Sequence, residues 1–386
     1  MSKLALEVTR IIKAVEQDRD MALVRFTRKF DGVNLTPRQF TVTPDEMRKS
    51  YKRIPKELRS ALLTAKERIE RFHRAELSSM TESWSVETGG IRAGQKCSAI
   101  LRAGIYVPGG RFCYPSTVLM ACIPAKIAGV KEIIIATPPK NARDEILAAA
   151  HICGVTRLYR IGGPAAIAAL AIGTRTVPKV DIIAGPGNAY VTEAKRQVFG
   201  KVGIDSLAGP SEVAIWADAK CNLSRVVANL CAQAEHGPDS RAYLLSSSER
   251  VIAEARRELP KQFKSQVTFL RFKSEREIPG KLNEIAPEHL LLAVKSARKR
   301  ARKICNAGAI FIGDKTPVAL GDYSAGPSHV LPTGGAARFA SAVSVKTFMK
   351  WSSVIENVSK KAGPAFSSAK TLSRAEGLYR HALSLE

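Results

Sequence analysis

A glutamine and a histidine stand three residues apart near the end of a predicted helix, in the stretch Cys231-Ala-Gln-Ala-Glu-His-Gly-Pro-Asp-Ser240. Asn222 is a favourable N-cap and apolar residues follow it at core-facing spacing, so we predict a helix over 222–236 that is ended by Gly237 and the proline after it. Gln233 and His236 then project from the same side of the last turn. An amide oxygen and an imidazole nitrogen there can form half of a metal site, and the terminal carbonyls favour a cation. A histidine that merely caps the helix is the alternative.

A carboxylate and an imidazole open a predicted buried strand in the segment Ala-Pro-Glu288-His289-Leu-Leu-Leu. Imidazole titrates near neutrality, and the pKa of a carboxyl can be tuned upward, so the pair suits general base catalysis. A polar cap on the strand is the other interpretation.

A polar, glycine-rich loop follows further along the chain, in Gly321-Asp-Tyr-Ser-Ala-Gly-Pro-Ser-His329. Asp322 is a potential hard oxygen ligand and His329 a second contact, because loops on α/β scaffolds often carry function. His381 lies five residues before the last residue, Glu386. Its spacing alone indicates a surface residue.

The cysteines argue against disulfide and thiol chemistry. There are seven, and no two form Cys-x-x-Cys, so neither a disulfide framework nor a zinc ribbon is indicated. We expect most of them to be small buried residues in a reducing compartment. Cys153 and Cys231 fall on apolar helix faces, which argues against a cysteine-nucleophile aldehyde dehydrogenase.

Composition indicates a globular chain with an unusual charge. The 386 residues are 45% hydrophobic, with a formal net charge of +25. The densest basic run, Lys295-Ser-Ala-Arg-Lys-Arg-Ala-Arg-Lys303, lacks interleaved aromatic residues, so a solvated helix face is favoured over a nucleic-acid-binding protein. No apolar run has the length of a membrane span and the N-terminus lacks the apolar core of a signal peptide, so we expect a cytoplasmic protein with no membrane partner.

The first hundred residues are predicted to be mainly helical, over 4–30 and 44–76, with a break near Pro55. Thr43 is an N-cap followed by proline, with Glu46 completing a capping box. Leu58, Leu62, Ala65, Ile69 and Phe72 are predicted to share one helix face, and His73 to lie on the surface or in a helix contact.

From residue 98 onward short apolar strands alternate with helices. We predict strands at 98–107, 132–137, 157–161 and 180–184, with helices at 116–128, 144–153, 165–172 and 190–198. This alternation is typical of βαβ units with a parallel sheet, whose Gly-rich strand ends lie along one edge. No Gly-x-Gly-x-x-Gly fingerprint is present, and Gly185-Pro-Gly-Asn188 is the nearest candidate for an anion site.

A second α/β unit is predicted from strands near 212–217, 242–246, 289–294 and 309–312. We expect the first strand to pair with this later set, in a domain of residues 1–105 and 213–343. Residues 106–212 would then be an inserted Rossmann-like domain. After Pro332 the chain is expected to be irregular and then helical.

Several separate motifs, taken together and in order, resemble histidinol dehydrogenase over nearly the whole chain. They are Gly104-Ile-Tyr-Val-Pro-Gly-Gly110, Gly185-Pro-Gly-Asn-Ala189, Ala208-Gly-Pro-Ser-Glu212, Gln233-Ala-Glu-His-Gly-Pro-Asp239, Pro287-Glu-His-Leu290, Gly321-Asp-Tyr323 with His329-Val-Leu-Pro332, and Ala375-Glu-Gly-Leu-Tyr-Arg-His381. The resemblance implies two Rossmann-like parallel-sheet domains, one inserted in the other, and a C-terminal tail over 344–386 exchanged between the subunits of a homodimer.

The resemblance also implies a zinc- and NAD-dependent oxidation of L-histidinol to L-histidine via the aldehyde, the last step of histidine biosynthesis. The zinc ligands, one ion per subunit, would be Gln233, His236, Asp322 and His381, with His381 reaching the site of the other subunit. Glu288 and His289 would be the catalytic bases. Ser211, His329 and Glu376 would contact the substrate together with the zinc ligands and His289, and Tyr106 and Asn188 would contact NAD.

The residue types fit this chemistry. His289 would accept the hydroxyl proton, and Glu288 would activate the water that the aldehyde must gain before the second oxidation. Glu376 suits a cationic amino alcohol, whereas a related enzyme for another small alcohol, such as a sulfonated diol, is the alternative. A glutamine that contacts the cofactor in the family is replaced by Ala165, which cannot donate that hydrogen bond.

Overall fold

The computed structural model describes residues 2–80, 83–109 and 112–386. Its α-helices are α1 (Lys3–Asp18), α2 (Asp20–Phe26), α3 (Pro37–Phe40), α4 (Pro44–Arg53), α5 (Lys56–Ser78), α6 (Pro115–Ile127), α7 (Asp144–Cys153), α8 (Gly163–Ile172), α9 (Ala189–Val198), α10 (Leu223–Ala234), α11 (Glu249–Glu258), α12 (Ile278–Ile285), α13 (Ala297–Ala301), α14 (Val318–Tyr323), α15 (Gly363–Ala375) and α16 (Tyr379–Leu383). Its strands are β1 (Thr41–Val42), β2 (Ser83–Thr88), β3 (Ile91–Ala99), β4 (Arg102–Tyr106), β5 (Glu132–Thr137), β6 (Arg157–Arg160), β7 (Ile182–Ala184), β8 (Gly203–Ile204), β9 (Glu212–Ala217), β10 (Arg241–Ser246), β11 (Val267–Arg271), β12 (His289–Ala293), β13 (Ala309–Ile312) and β14 (Met349–Asn357). Gly110, the last residue of the Gly104–Gly110 motif, lies outside the described residues.

The first sheet has the strand order β1-β6-β5-β4-β7-β8. All its neighbours are parallel except the short edge strand β1, which pairs antiparallel with β6. Ile105, Ile135 and Ile183 are among its buried side chains, and α6, α7 and α8 cover the sheet. This confirms the predicted βαβ units.

The second sheet is wholly parallel, in the order β11-β10-β9-β12-β13. Its central strand β9 is buried along its length, and Trp216 is among the largest side chains of the core. The predicted strands of this unit are confirmed, and β11 is an additional strand that the sequence pattern did not indicate. The fold thus has two parallel-sheet units, as expected.

One part of the predicted domain organisation is wrong. The predicted strand at 98–107 divides into β3 and β4, and β4 pairs with β5 and β7 inside the first sheet rather than with the later set. Helix α1 also packs on α8 and α9 of the first unit. Strand β4 and helix α1 therefore belong to the first unit, so the 106–212 segment is not an insertion into a sheet shared by 1–105 and 213–343.

A third, antiparallel sheet was also missed, in the order β14-β3-β2. It joins distant parts of the chain, since Trp351 of β14 lies opposite Cys97 of β3. Every residue of β2 is exposed, including Trp84 and Val86, so the alternation of buried and exposed residues that identifies a strand is absent.

The N-terminal helices follow their sequence signals. Thr43 and Glu46 form the predicted capping box at the start of α4, and the chain breaks at Pro55 before α5. The predicted apolar face of α5 buries Leu62, Ala65 and Ile69, whereas Phe72 at its end is 42% exposed.

Among the helices of the described residues, none combines the length and apolar character needed to cross a membrane.

Candidate active site

Glu288 and His289 lie at the amino end of β12, next to the amino end of β9 in the centre of the second sheet. Both side chains are buried. Glu288 Oε2 accepts hydrogen bonds from Ser211 Oγ at 2.6 Å and from the Glu212 N–H at 2.9 Å. Burial raises the pKa of Glu288 above its ordinary value, although the charge of His289 and these two hydrogen bonds oppose the shift.

His289 lies between three acceptors. Its Nδ1 is 3.4 Å from the Glu212 carbonyl oxygen and 3.6 Å from Glu288 Oε2, and its Nε2 is 3.5 Å from Asp322 Oδ1. Burial alone would lower the pKa of His289, but the carboxylates of Asp322 and Glu288 outweigh burial and raise it. The arrangement holds an imidazole that can take up a proton within reach of two carboxylates.

Asp322 lies near the end of the short helix α14, and its backbone orients His329. The Asp322 carbonyl oxygen accepts a hydrogen bond from His329 Nδ1 at 2.7 Å. That bond leaves His329 Nε2 to accept from the Thr117 hydroxyl, 3.1 Å away. Burial lowers the pKa of His329, which favours its neutral form. Since Thr117 belongs to α6 of the first unit, this chain of contacts joins the two units at the site.

Helix α10 presents Gln233 and His236 much as predicted, with one correction. The helix ends at Ala234, so His236 lies just beyond it in a turn, and Gly237 follows with a φ of 149°. Gln233 is buried, and its Nε2 has no hydrogen-bond partner. Rotation of this amide by 180° would place an unpartnered oxygen, a possible metal ligand, at that point.

Gln233, His236 and Asp322 line one cavity of about 600 Å³ between α5, α6, α10 and α14. Oxygen and nitrogen donors of these types are ligands of zinc. The unpartnered end of the buried Gln233 amide is therefore available to bind a metal ion. No three His, Cys, Asp or Glu side chains of the described ranges cluster closely enough to hold a metal ion. Of the four expected zinc ligands, this chain places Gln233, His236 and Asp322 at the cavity.

His381 and Glu376 lie elsewhere in this chain. His381 is on α16 and Glu376 caps α15, and both side chains are exposed on the surface. The structure thus brings together seven of the nine residues expected at the metal and substrate site, and it leaves out these two. The seven are Ser211, Gln233, His236, Glu288, His289, Asp322 and His329.

Tyr106 and Asn188 line a second cavity, of about 580 Å³, at the carboxyl ends of the strands in the first sheet. Tyr106 Oη accepts a hydrogen bond from the Gly163 N–H at 3.0 Å, and burial raises the pKa of Tyr106 to about 12. Asn188 caps α9 by accepting from two backbone N–H groups at 3.1 Å. Carboxyl ends of parallel strands are where such sheets bind ligands, as the Gly-rich strand ends led us to expect. Ala165 is buried in the apolar core.

Sequence reasoning missed several residues that shape these sites. Glu212 is buried and its Oε1 accepts from the Gly334 N–H at 3.0 Å, which ties β9, the neighbour of the strand that begins at His289, to a loop. Lys195 is buried beneath the Gly185–Asn188 turn. Signals for both existed in the sequence. Glu212 precedes an apolar strand as Glu288 does, and Lys195 occupies a core-facing position on a helix.

Burial disfavours the reactive thiolate form of three cysteines. Burial raises the pKa of Cys113 and of Cys221 to about 11, and it raises the pKa of Cys231. Cys153 is buried in the core. A raised pKa leaves little thiolate at neutral pH, which supports the prediction against cysteine catalysis.

Comparison of sequences gives one family. A family model described as histidinol dehydrogenase matches residues 1–386. A histidinol dehydrogenase of Thermosynechococcus vestitus is 44% identical over 399 residues, covering 99% of this chain and 92% of that protein. One of Nitrosospira multiformis is 44% identical over 402 residues, covering 100% and 91%.

Comparison of structures agrees. The crystal structure of histidinol dehydrogenase from Elizabethkingia anophelis is similar with a TM-score of 0.92 and 34% identity, covering 100% of this chain and 92% of that chain. An acetylating aldehyde dehydrogenase from Geobacillus thermoglucosidasius gives a TM-score of 0.52 at 13% identity, covering 93% and 98%. The second likeness concerns the fold alone.

Proposed function

The chain belongs to the histidinol dehydrogenase family and is an oxidoreductase of histidine biosynthesis, and we propose that it oxidises L-histidinol to L-histidine in two NAD-dependent steps with one zinc ion per subunit. The observation that carries this proposal is the buried pair Glu288 and His289, which lies beside Asp322, a residue that lines the same cavity as Gln233 and His236.

The proposed zinc ligands are Gln233, His236 and Asp322 of one chain with His381 of a second copy. When bound, zinc would supply a fixed positive centre that holds the imidazole and amine of the substrate. The unpartnered amide of Gln233 and the shared cavity support the first three ligands. Ser211, which hydrogen-bonds Glu288, and His329, which hydrogen-bonds the Asp322 carbonyl oxygen, would contact the substrate, and Glu376 of the second copy would face its amine.

The two bases would act in sequence. In the alcohol step the substrate hydroxyl loses a proton to a ring nitrogen of His289 while the carbon loses hydride. In the aldehyde step Glu288 would accept a proton from the water that adds to the carbonyl, and the hydrate so formed would lose the second hydride to give the acid. The hydrogen bonds from Ser211 and from the Glu212 N–H fix the carboxylate that performs this task. Each base contributes about 10²–10⁴ in rate.

NAD would bind in the cavity lined by Tyr106 and Asn188 and would supply the hydride acceptor. This cavity lies at the carboxyl ends of the first sheet, whereas the bases lie at the amino end of the second. The Thr117–His329 hydrogen bond joins the two units and helps to fix the position of one cavity relative to the other.

A homodimer is proposed to complete each site. The exposed antiparallel sheet carries Trp84, Trp351 and Ile355 on its surface, with exposed fractions of 49%, 39% and 74%. The C-terminal segment carries exposed Leu378 and Tyr379 beside His381. Apolar surface of this kind is typical of a face that a second subunit covers.

The test is an assay of the purified protein with histidinol, NAD and zinc. We expect two NADH for each histidine formed. No NADH from histidinol, combined with turnover of a sulfonated diol, would replace the substrate assignment. The same substrate panel on Glu376→Ala should show a loss confined to amine-bearing substrates. A loss shared by all substrates would contradict the assigned role of Glu376.

A further inference from the structure

A charged pair is buried beneath the turn that carries Asn188. The side chains of Lys195, in α9, and Asp205, after β8, are only 2% and 3% exposed. Lys195 Nζ forms a close ion pair with Asp205 Oδ1 and donates a hydrogen bond to the Gly185 carbonyl oxygen at 3.1 Å. Asp205 Oδ2 accepts from the Gly185 N–H at 2.8 Å. Both polar backbone groups of one glycine are therefore held by a single ion pair.

Gly185 also lies against the backbone of Tyr106, a residue that lines the proposed NAD cavity. Its φ is +119°, and a Cβ there would lie 2.1 Å from the Tyr106 carbonyl oxygen. Asn188, three residues on, lines the cavity together with Tyr106. The ion pair thus fixes a residue that packs closely against the backbone of Tyr106 and begins the turn leading to Asn188.

A gain in the stability of the folded protein does not by itself explain why a buried ion pair occupies this position. Burying two charges costs desolvation energy, and apolar residues of similar size often stabilise a protein as well or better. What apolar residues cannot do is supply a donor and an acceptor to one backbone residue. Neither Lys195 nor Asp205 lines the cavity, so any effect on a ligand must pass through the turn.

We propose that Lys195 and Asp205 are positioning residues that hold the Gly185–Asn188 turn in the conformation that binds the dinucleotide. The inference rests on the proposed use of NAD. The position of Asn188, and with it the affinity for NAD, would then depend on the buried ion pair. The proton transfers at Glu288 and His289 would not depend on it.

The test replaces both charges at once, in Lys195→Met/Asp205→Asn, so that no unpaired charge is left buried. We expect the KM for NAD to rise about tenfold, the scale of one poorly made hydrogen bond. The kcat and the KM for histidinol should remain within about twofold of the wild type, because neither Lys195 nor Asp205 lines the cavity that holds Gln233, His236 and Asp322. Lys201→Met, which removes an exposed lysine paired with Glu16, is the matched control.

A folded double variant with a lower melting temperature and an unchanged KM for NAD would overturn the inference, since a purely structural pair gives that result. If the double variant does not fold, Lys195→Arg keeps the charge but alters the contact with Gly185, and its KM for NAD decides in the same way. NADH binding, followed by fluorescence, provides the comparison without turnover. A wild type that binds NADH but does not oxidise histidinol contradicts the proposed function and leaves this inference standing.

Discussion

Opposing effects on single side chains define the chemistry of the site. Glu288 is buried, which favours its neutral form, yet it accepts two hydrogen bonds that favour its charged form. His289 is buried, which favours its neutral form, yet two carboxylates favour its charged form. Neighbouring groups therefore decide what each base can do, more than its residue type does.

Replacing Glu288 with Gln should separate the two oxidation steps. The amide keeps the shape of the side chain but cannot accept a proton from water. We expect aldehyde oxidation to fall about 10²–10⁴-fold, with a smaller effect on alcohol oxidation. The measurement is single-turnover NADH formation from histidinol and from the aldehyde. Glu284→Gln, at an exposed glutamate, is the control. Equal losses in both steps would contradict the assigned role.

His73 should make the stability of the protein sensitive to mild acid. It is buried in α5, with Nδ1 2.9 Å from Glu76 Oε2, and burial lowers its pKa more than Glu76 raises it. The folded chain then binds this proton more weakly than the unfolded chain, whose histidine has the ordinary pKa of 6.5. As the pH falls below that value, the unfolded chain gains protons first, so stability falls.

The variant His73→Gln keeps a hydrogen-bonding side chain but cannot titrate. We expect its melting temperature to change less than that of the wild type between about pH 7.5 and about pH 5.5. The measurement is thermal unfolding at a series of pH values. His151→Gln, at a partly exposed histidine, is the control. Equal acid sensitivity of wild type and His73→Gln would show that other groups dominate.

At the scale of elements, the amino ends of three parallel strands position the catalytic pair. The Gly308 N–H donates to the Pro287 carbonyl oxygen at 2.9 Å, and the Ala309 N–H donates to the Glu288 carbonyl oxygen at 2.9 Å. A Cβ on Gly308 would lie 2.6 Å from the Glu288 carbonyl oxygen. The absence of a side chain therefore lets β13 approach the backbone of the base.

We expect Gly308→Ala to destabilise the protein by about 1–3 kcal/mol, since a backbone atom cannot move aside as a flexible side chain can. Activity should fall as well, because the strain acts on the strand that carries Glu288. Gly280→Ala is the matched control. Nothing lies within 4 Å of its new Cβ, and the change to a better helix former in α12 should stabilise by up to about 1 kcal/mol. Urea unfolding measures both. Similar stability of the two variants would contradict this account.

The sequence predicted the elements whose burial follows a regular period. Strand β5 and helix α7 have the predicted limits, because apolar residues and their flanking turn signals coincide there. Strand β14 was missed, since eight of its nine residues are exposed and its partner strand lies some 250 positions earlier in the chain. Pairing at that distance leaves no local pattern.

The site was predicted in the same uneven way. Glu288, His289 and Asp322 stood out as polar residues in apolar or glycine-rich surroundings, and the structure brings them together. Lys195 and Asp205 did not stand out, because their meaning depends on a contact with Gly185 that only the folded chain creates. Reactive side chains can be identified from a sequence more readily than residues that position them through tertiary contacts.

At the scale of the whole molecule, the proposed site is divided between two chains. If His381 completes the site of the other copy, inactive variants should complement each other. We expect mixtures of His381→Ala and Glu288→Gln subunits to regain activity, because one of the two sites in a mixed dimer then has both an intact base and an intact ligand. Activity after co-refolding is the measurement, with each variant alone as the control. Mixed dimers without activity would show that the sites are not shared.

If His381 on the exposed helix α16 is the zinc ligand of a second subunit, metal uptake and assembly depend on each other. A donor that arrives on a second chain makes zinc binding and subunit association linked equilibria. Whatever factor zinc adds to association, association must add to zinc affinity. Metal content should then depend on protein concentration, and a chelator should act as a dissociating agent. Zinc supply would govern the amount of assembled enzyme as well as its activity.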